Sequence, residues 1–171
     1  MDNIELVFPM EGHEESAWAY RQEHIDCGEQ WINGSDGLIR AGNYQEWLDK
    51  VTEARTVSQQ GRVNSSTYFV FNGGTIVGTI QIRHDLNEKL KTEGGHIGYG
   101  VRPSCRRNGY GTKMLALALE KCREIGLEKV LLTCDSDNVG SAKVMVKNGG
   151  VFEREIIAEN GDILHHYWIT L

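Results

Sequence analysis

Three arginines, Arg102, Arg106 and Arg107, gather with Lys113 in the stretch "VRPSCRRNGYGTKMLALALEKC", immediately before a long amphipathic run. The chemistry such a group offers is the holding of an anion. A loop that leads into a helix presents unpaired backbone N–H groups and the positive end of the helix dipole. Gly109 and Gly111 let the backbone approach a ligand closely and take positive φ, while Arg106 and Arg107 can add charge-assisted contacts. A glycine-rich turn with solvated arginines is the plainer reading of the same residues.

Two familiar phosphate loops do not fit. A P-loop needs a glycine five residues before a Gly-Lys-Ser/Thr triplet, whereas here Thr112 precedes Lys113. A dinucleotide fingerprint begun at Gly109 and Gly111 needs a small residue where Met114 stands, which weakens a nicotinamide oxidoreductase, although Asp135 could pass as its ribose acid.

A second cluster, Arg83, His84, Asp85 and Asn87, falls between two expected strands. Arg83 and His84 are candidates for recognising a substrate carboxylate or phosphate, with a solvated loop as the equal alternative. His165 and His166 are adjacent on an expected strand, so they face opposite sides and cannot share a metal. Cys27, Cys105, Cys122 and Cys134 form no C-x-x-C pair, which suits reduced thiols and implies no metal site.

Patterning predicts the elements that must position these residues. "NIELVF" reads as a strand, "EESAWAYRQEHIDCG" as a helix closed by Gly28, and 43–59 as a second helix capped by Asn43. "STYFVFNGGTIVGTIQIRH" reads as a hairpin turned at Asn72 to Gly74, followed by a polar loop over 85–93 and a strand "GHIGYGVR". A helix over 112–125, an apolar and hence central strand "KVLLTC", a helix opened by Asn138 and a hairpin turned at Asn160 and Gly161 complete the chain. The order predicts one domain spanning 1–171, an α/β mixed sheet with helices on its faces.

With 171 residues and 40% hydrophobic content the chain can bury a core of its own. A net charge of -6 argues against a nucleic-acid partner, and no apolar run has the length of a membrane span. The expectation is a soluble, cytoplasmic protein that binds no membrane.

The run Arg-x-x-Gly-x-Gly at Arg106, Gly109 and Gly111 resembles the acyl-CoA pyrophosphate loop of the GNAT superfamily of N-acetyltransferases. "IGYGVRP" before it, "KVLLTC" after it and "DNVGSAKVMVKNGGVFERE" are similar to the family's neighbouring segments, strongly over 95–156. The resemblance implies a mostly antiparallel sheet of about seven strands with about four helices, and a splayed parallel strand pair forming a CoA cleft. It implies acetyl-CoA as cosubstrate, a small-molecule or peptide amine as acceptor, direct attack in a ternary complex, and a possible homodimer. A non-catalytic acyl-CoA sensor of the same fold is the alternative.

Carried over residue by residue, the resemblance assigns the cofactor to Val101, Arg102, Arg106, Arg107, Asn108, Gly109, Tyr110, Gly111 and Thr112, with Asn138 and Ser141 across the cleft. Tyr99 would lend main-chain bonds alongside Val101. Two family features are missing. Gly94, Gly95 and His96 stand where many members carry a glutamate base, making His96 the leading candidate for base, with Glu93 and His84 behind it. Met145 stands where many carry a tyrosine acid, leaving Tyr99 or Tyr167 to serve, or no dedicated acid at all.

Overall fold

The computed structural model describes residues 3–58 and 60–171. Its strands are β1 (Ile4–Val7), β2 (Ser65–Asn72), β3 (Thr75–Arg83), β4 (Ile97–Val101), β5 (Lys129–Asp135), β6 (Val151–Ile157) and β7 (Ile163–Thr170). Its helices are α1 (Glu14–Asp26), α2 (Tyr44–Glu53), α3 (Glu88–Thr92), α4 (Tyr110–Glu124) and α5 (Val139–Lys147). No helix among the described residues is long and apolar enough to cross a membrane.

The strands form two antiparallel sheets, ordered β1-β2-β3-β4 and β5-β7-β6. The edge strands β4 and β5 meet where the His96 N–H donates to Leu131 O at 2.7 Å. They form no ladder beyond that point among the described residues. The apolar "KVLLTC" is thus central to the molecule while being an edge of its own sheet.

One core lies between α4 and both sheets, with Ile80 and Ile82 from one sheet and Leu132 and Ile169 from the other closing on Met114 and Leu115. The other fills the opposite face of the larger sheet, where Tyr20 of α1 and Trp47 and Leu48 of α2 meet Phe69 and Phe71. Helix α4 is therefore the element that holds the two sheets at a fixed separation.

The expected helix over 43–59 ends at Glu53, and its last residue, Gln59, lies outside the described residues. Asn43 caps it, accepting from the Glu46 N–H at 3.0 Å. The polar segment 85–93 is not all loop: Asn87 accepts from the Leu90 N–H and opens the short α3. Leu90 is the sole apolar residue of those five helical positions, too few to show a period.

Candidate active site

Strand β4 turns two different edges to its surroundings. The Arg83 N–H donates to His96 O at 2.7 Å and the Arg102 N–H to Val77 O at 2.8 Å, with Gln81–Gly98 and Thr79–Gly100 paired between them. In an antiparallel ladder the intervening residues point their own N–H and C=O the other way. Ile97, Tyr99 and Val101 accordingly present main-chain groups away from β3, on the side of β5. This row of donors and acceptors leads directly into the Arg-Gly loop.

The loop passes through a single helical turn at Pro103–Cys105 and opens α4 at Gly109, which sits at φ 80° as its cap. A Cβ there would meet nothing within 4 Å, so the left-handed backbone, rather than crowding, calls for glycine. The first-turn N–H groups of Tyr110, Gly111 and Thr112 have no intrahelical acceptor and point out of the helix start. Gly111 also brings the helices together, since its Cβ would lie 3.2 Å from Val144 Cγ2 on α5. Asn148 strengthens that junction by donating to Thr112 O and Val144 O. The Tyr110 hydroxyl accepts from Asn72, and Asn108 donates to Cys105 O.

Two of the three arginines prove to have carboxylate partners. Arg102 turns inward, its Nε donating to Glu23 at 2.5 Å and Nη1 to Ile76 O at 3.1 Å. Glu23 also accepts the Ser104 N–H at 2.7 Å. Burial alone would raise the Glu23 carboxyl, but the Ser104 and Arg102 hydrogen bonds outweigh it and hold the group down at about 2. Arg106 pairs with Glu29 at 2.6 Å and donates through Nε to Val101 O at 3.1 Å. Arg107 is exposed with φ 64°. Spacing showed the cations, but Glu23 and Glu29, about 80 residues away in sequence, could be matched to them only by the fold.

The two candidate phenols lie on the face of the sheets covered by α4 and α5. Tyr99 Oη is 2.7 Å from Ser141 Oγ, and Asn138 Oδ1 accepts the Ser141 N–H at 3.0 Å, so β4 touches the start of α5. Burial pushes Tyr99 up to about 12, and burial also raises Tyr167. Both phenols are protonated at neutral pH. Met145 is 1% exposed in the core and has no proton to give.

The structure gives His96 a bonding pattern unlike that of a free base. Its Nδ1 accepts the Leu131 N–H at 2.9 Å, while its own N–H donates to Leu131 O, so one residue latches β4 to β5 by side chain and main chain together. Burial lowers its pKa to about 4. The lone pair a base would use is occupied, and the ring stays neutral.

Arg83 and His84, expected to act together, point to opposite faces of β3, as strand neighbours must. Arg83 Nη1 donates to Gly94 O and Gly95 O, both at 3.0 Å, fixing the turn that leads into β4. His84 turns to the α4 side, with Nε2 2.8 Å from Ser66 Oγ. His84 thus leaves the site and Arg83 supports it. Sequence reading also missed the segment 32–35, which lies on β4: Thr79 Oγ1 donates to Asn33 O at 3.0 Å, and a Cβ on Gly34 would fall 2.4 Å from Gly98 O.

A model of the acetyltransferase (GNAT) family matches residues 17–149. Among solved structures, the ribosomal-protein-S5-alanine acetyltransferase from Vibrio fischeri aligns over 99% of this chain and 94% of its own, with a TM-score of 0.75 at 15% identity. The microcin C7 self-immunity acetyltransferase MccE, in complex with acetyl-CoA and AMP, aligns over 100% of this chain and 94% of its own, with a TM-score of 0.73 at 16% identity. RimL, the ribosomal L7/L12 α-N-protein acetyltransferase in complex with coenzyme A, aligns over 100% of this chain and 96% of its own, with a TM-score of 0.73 at 18% identity. No curated protein matches the sequence significantly.

Proposed function

The chain belongs to the GNAT acetyltransferase family, and on that premise we propose that it transfers an acetyl group from acetyl-CoA to a primary amine of a small molecule or peptide. The observation that carries this reading is the unladdered edge of β4, Tyr99 and Val101, running into the glycine-capped start of α4. An extended pantetheine arm can bond to that edge as an added strand would, while the pyrophosphate takes the N–H groups of the loop and first turn. Arg106 and Arg107 are the cations we assign to it. Arg102, held by Glu23 and Ile76, we assign to keeping the loop in place.

The reaction follows from placing a thioester at that edge. The amine must first lose its proton, being mostly protonated at neutral pH with a pKa of about 10. Its nitrogen then attacks the thioester carbonyl, a C–N bond forms, the surplus N–H proton passes to water, the C–S bond breaks and CoA leaves as thiolate. Backbone N–H groups of β4 stabilise the oxyanion, and holding both reactants together supplies much of the rate. We assign Tyr99 to donate a hydrogen bond to the departing sulfur. A thiolate with a conjugate-acid pKa of about 8.5 leaves without needing a stronger acid. His96 we assign to holding the cleft's closed end.

The structural neighbours include two ribosomal-protein acetyltransferases and a microcin C7 self-immunity acetyltransferase bound to acetyl-CoA and AMP, which supports testing both peptide and small-molecule amines. Calorimetry with acetyl-CoA, followed by thiol release against a panel of peptide and small-molecule amines, tests the proposal. Binding without turnover of any amine would favour the sensor reading, and no heat with acetyl-CoA would sink both.

A further inference from the structure

Beyond the β4 edge, the molecule has a groove of about 510 Å³ at the other end of α4, bounded by β1, β2, the end of β3 and the last turn of α4. At about 1.5 Å rise per residue, Lys121 stands about 15 Å along the helix axis from Gly111. We propose that this groove is a second small-molecule site, separate from the acetyl-transfer cleft, and that it takes a small monocarboxylate with an apolar body, for which phenylacetate is the probe.

The floor is aromatic. Phe8 and Tyr68 stack with ring centroids 4.4 Å apart and an interplanar angle of 26°. Arg55 lies over the Phe8 face with Cζ 3.7 Å from the centroid, a contact that holds the guanidinium at the groove while leaving its N–H fork available. With both faces of Phe8 covered, the groove offers ring edges and the Leu6 side chain as apolar surface beside a fixed cation, which suits an apolar body carrying an anionic group.

The charges set the anion's size. The charged residues lining the groove are Arg55, Lys121 and Glu124, and Lys121 pairs with Glu124 at 2.8 Å. That leaves one net positive charge, which matches a carboxylate better than a phosphate dianion. Burial lowers the pKa of His84, with the Arg55 charge adding to the effect, so the ring is neutral at pH 7 and adds no second positive charge. Burial also keeps the Tyr68 phenol protonated. With the Ser66 hydroxyl, 2.8 Å from His84 Nε2, it supplies neutral hydrogen-bonding groups beside the cation. A groove of this size, with apolar walls and a few convergent polar groups, has room for such a ligand.

The test uses the full chain saturated with CoA, and compares phenylacetate with its neutral isostere phenylacetamide by saturation-transfer NMR and calorimetry. Phenylacetate should bind at least tenfold more tightly than the amide. Arg55→Gln and Lys121→Gln should each weaken phenylacetate at least fivefold, leaving CoA affinity unchanged. Should Arg55→Gln fail to fold, Lys121→Gln, a change on the outer side of α4, decides the matter. Equal binding of the two probes, no binding of either, or unchanged affinity in the variants would overturn the proposal. Displacement of phenylacetate by CoA would also overturn it while leaving acetyl transfer standing. A chain that failed to bind CoA would instead sink the transfer reading, and the same comparison run without CoA would still test this site.

Discussion

Replacing His96 with asparagine separates a latch from a catalytic base. Asparagine places Oδ1 near the position of the imidazole Nδ1, so the Leu131 N–H keeps an acceptor while the titrating group disappears. In the folded protein burial lowers the His96 pKa from 6.5 to about 4, and the ring is 6% exposed. Between those values the unfolded chain binds more protons than the folded one. The stabilisation is therefore fully present above pH 6.5 and is lost as pH falls toward 4. A shift of that size corresponds to about 3 kcal/mol. Urea unfolding of the wild type and His96→Asn across pH 7.5 to 4 should show their difference changing by about that amount in this window and flat above it. The other histidines whose pKa desolvation lowers, His13, His24 and His84, cancel in the difference. On the catalytic side, kcat with a reactive amine should stay within about threefold from pH 7 to 9, against the 10²–10⁴-fold typical of losing a general base. A difference in stability that did not change with pH, or a hundredfold fall in kcat, would refute the latch.

Three further outcomes follow from the same geometry. Tyr99→Phe removes the hydroxyl 2.7 Å from Ser141 Oγ and should lower kcat about tenfold or more with little change in the KM for acetyl-CoA, whereas Tyr167→Phe should leave kcat near the wild-type value in steady-state thiol-release assays. Glu23→Gln weakens the tie to Arg102 and Ser104, and chemical denaturation should show a loss of about 1–3 kcal/mol at pH 7. Because the Glu23 carboxyl is held at about 2, below its ordinary 4.5, that advantage over the variant should persist above pH 4.5 and fade as pH falls toward 2. Gly34→Ala forces a Cβ to 2.4 Å from Gly98 O at φ 75°, and a lowered melting temperature with weaker acceptor binding is expected, without loss of CoA binding by calorimetry.

Local signals in the sequence carried most of the fold. The hairpin at Asn72 to Gly74, the Asn43 and Asn138 caps and the glycine-led start of α4 each state their conformation within a few residues. Partnership across the chain was not legible. Nothing near Arg102 announces Glu23, nothing near Arg106 announces Glu29, and the five-residue α3 is too short to show a period. His96 illustrates the same limit, since its residue type suggested a base while its function as an acceptor depends on Leu131 from a strand 35 positions away. Arg83 and His84 were different, because strand alternation alone already put them on opposite faces.

The alternation in "IGYGV" gains its meaning only from what lies on each side of β4. Ile97 sends its side chain into the core beneath α4, Tyr99 and Val101 pack partly buried against that core with the Tyr99 hydroxyl at the start of α5, and all three turn their main-chain groups away from β3. Gly98 and Gly100 bond to β3 and leave the opposite face bare, and there the segment 32–35 settles: a Cβ on Gly100 would fall 2.8 Å from Asn33 O. A side chain at either position would lift that segment off the strand, and the acceptor side of the cleft would lose the wall it forms. In the proposed reading the two glycines bear on the acceptor, while Tyr99 and Val101, which alternate with them, bear on the acyl donor. On that proposal a single five-residue strand would set the separation of the two reactants, with the donor bonded along its edge and the acceptor's wall resting on its face.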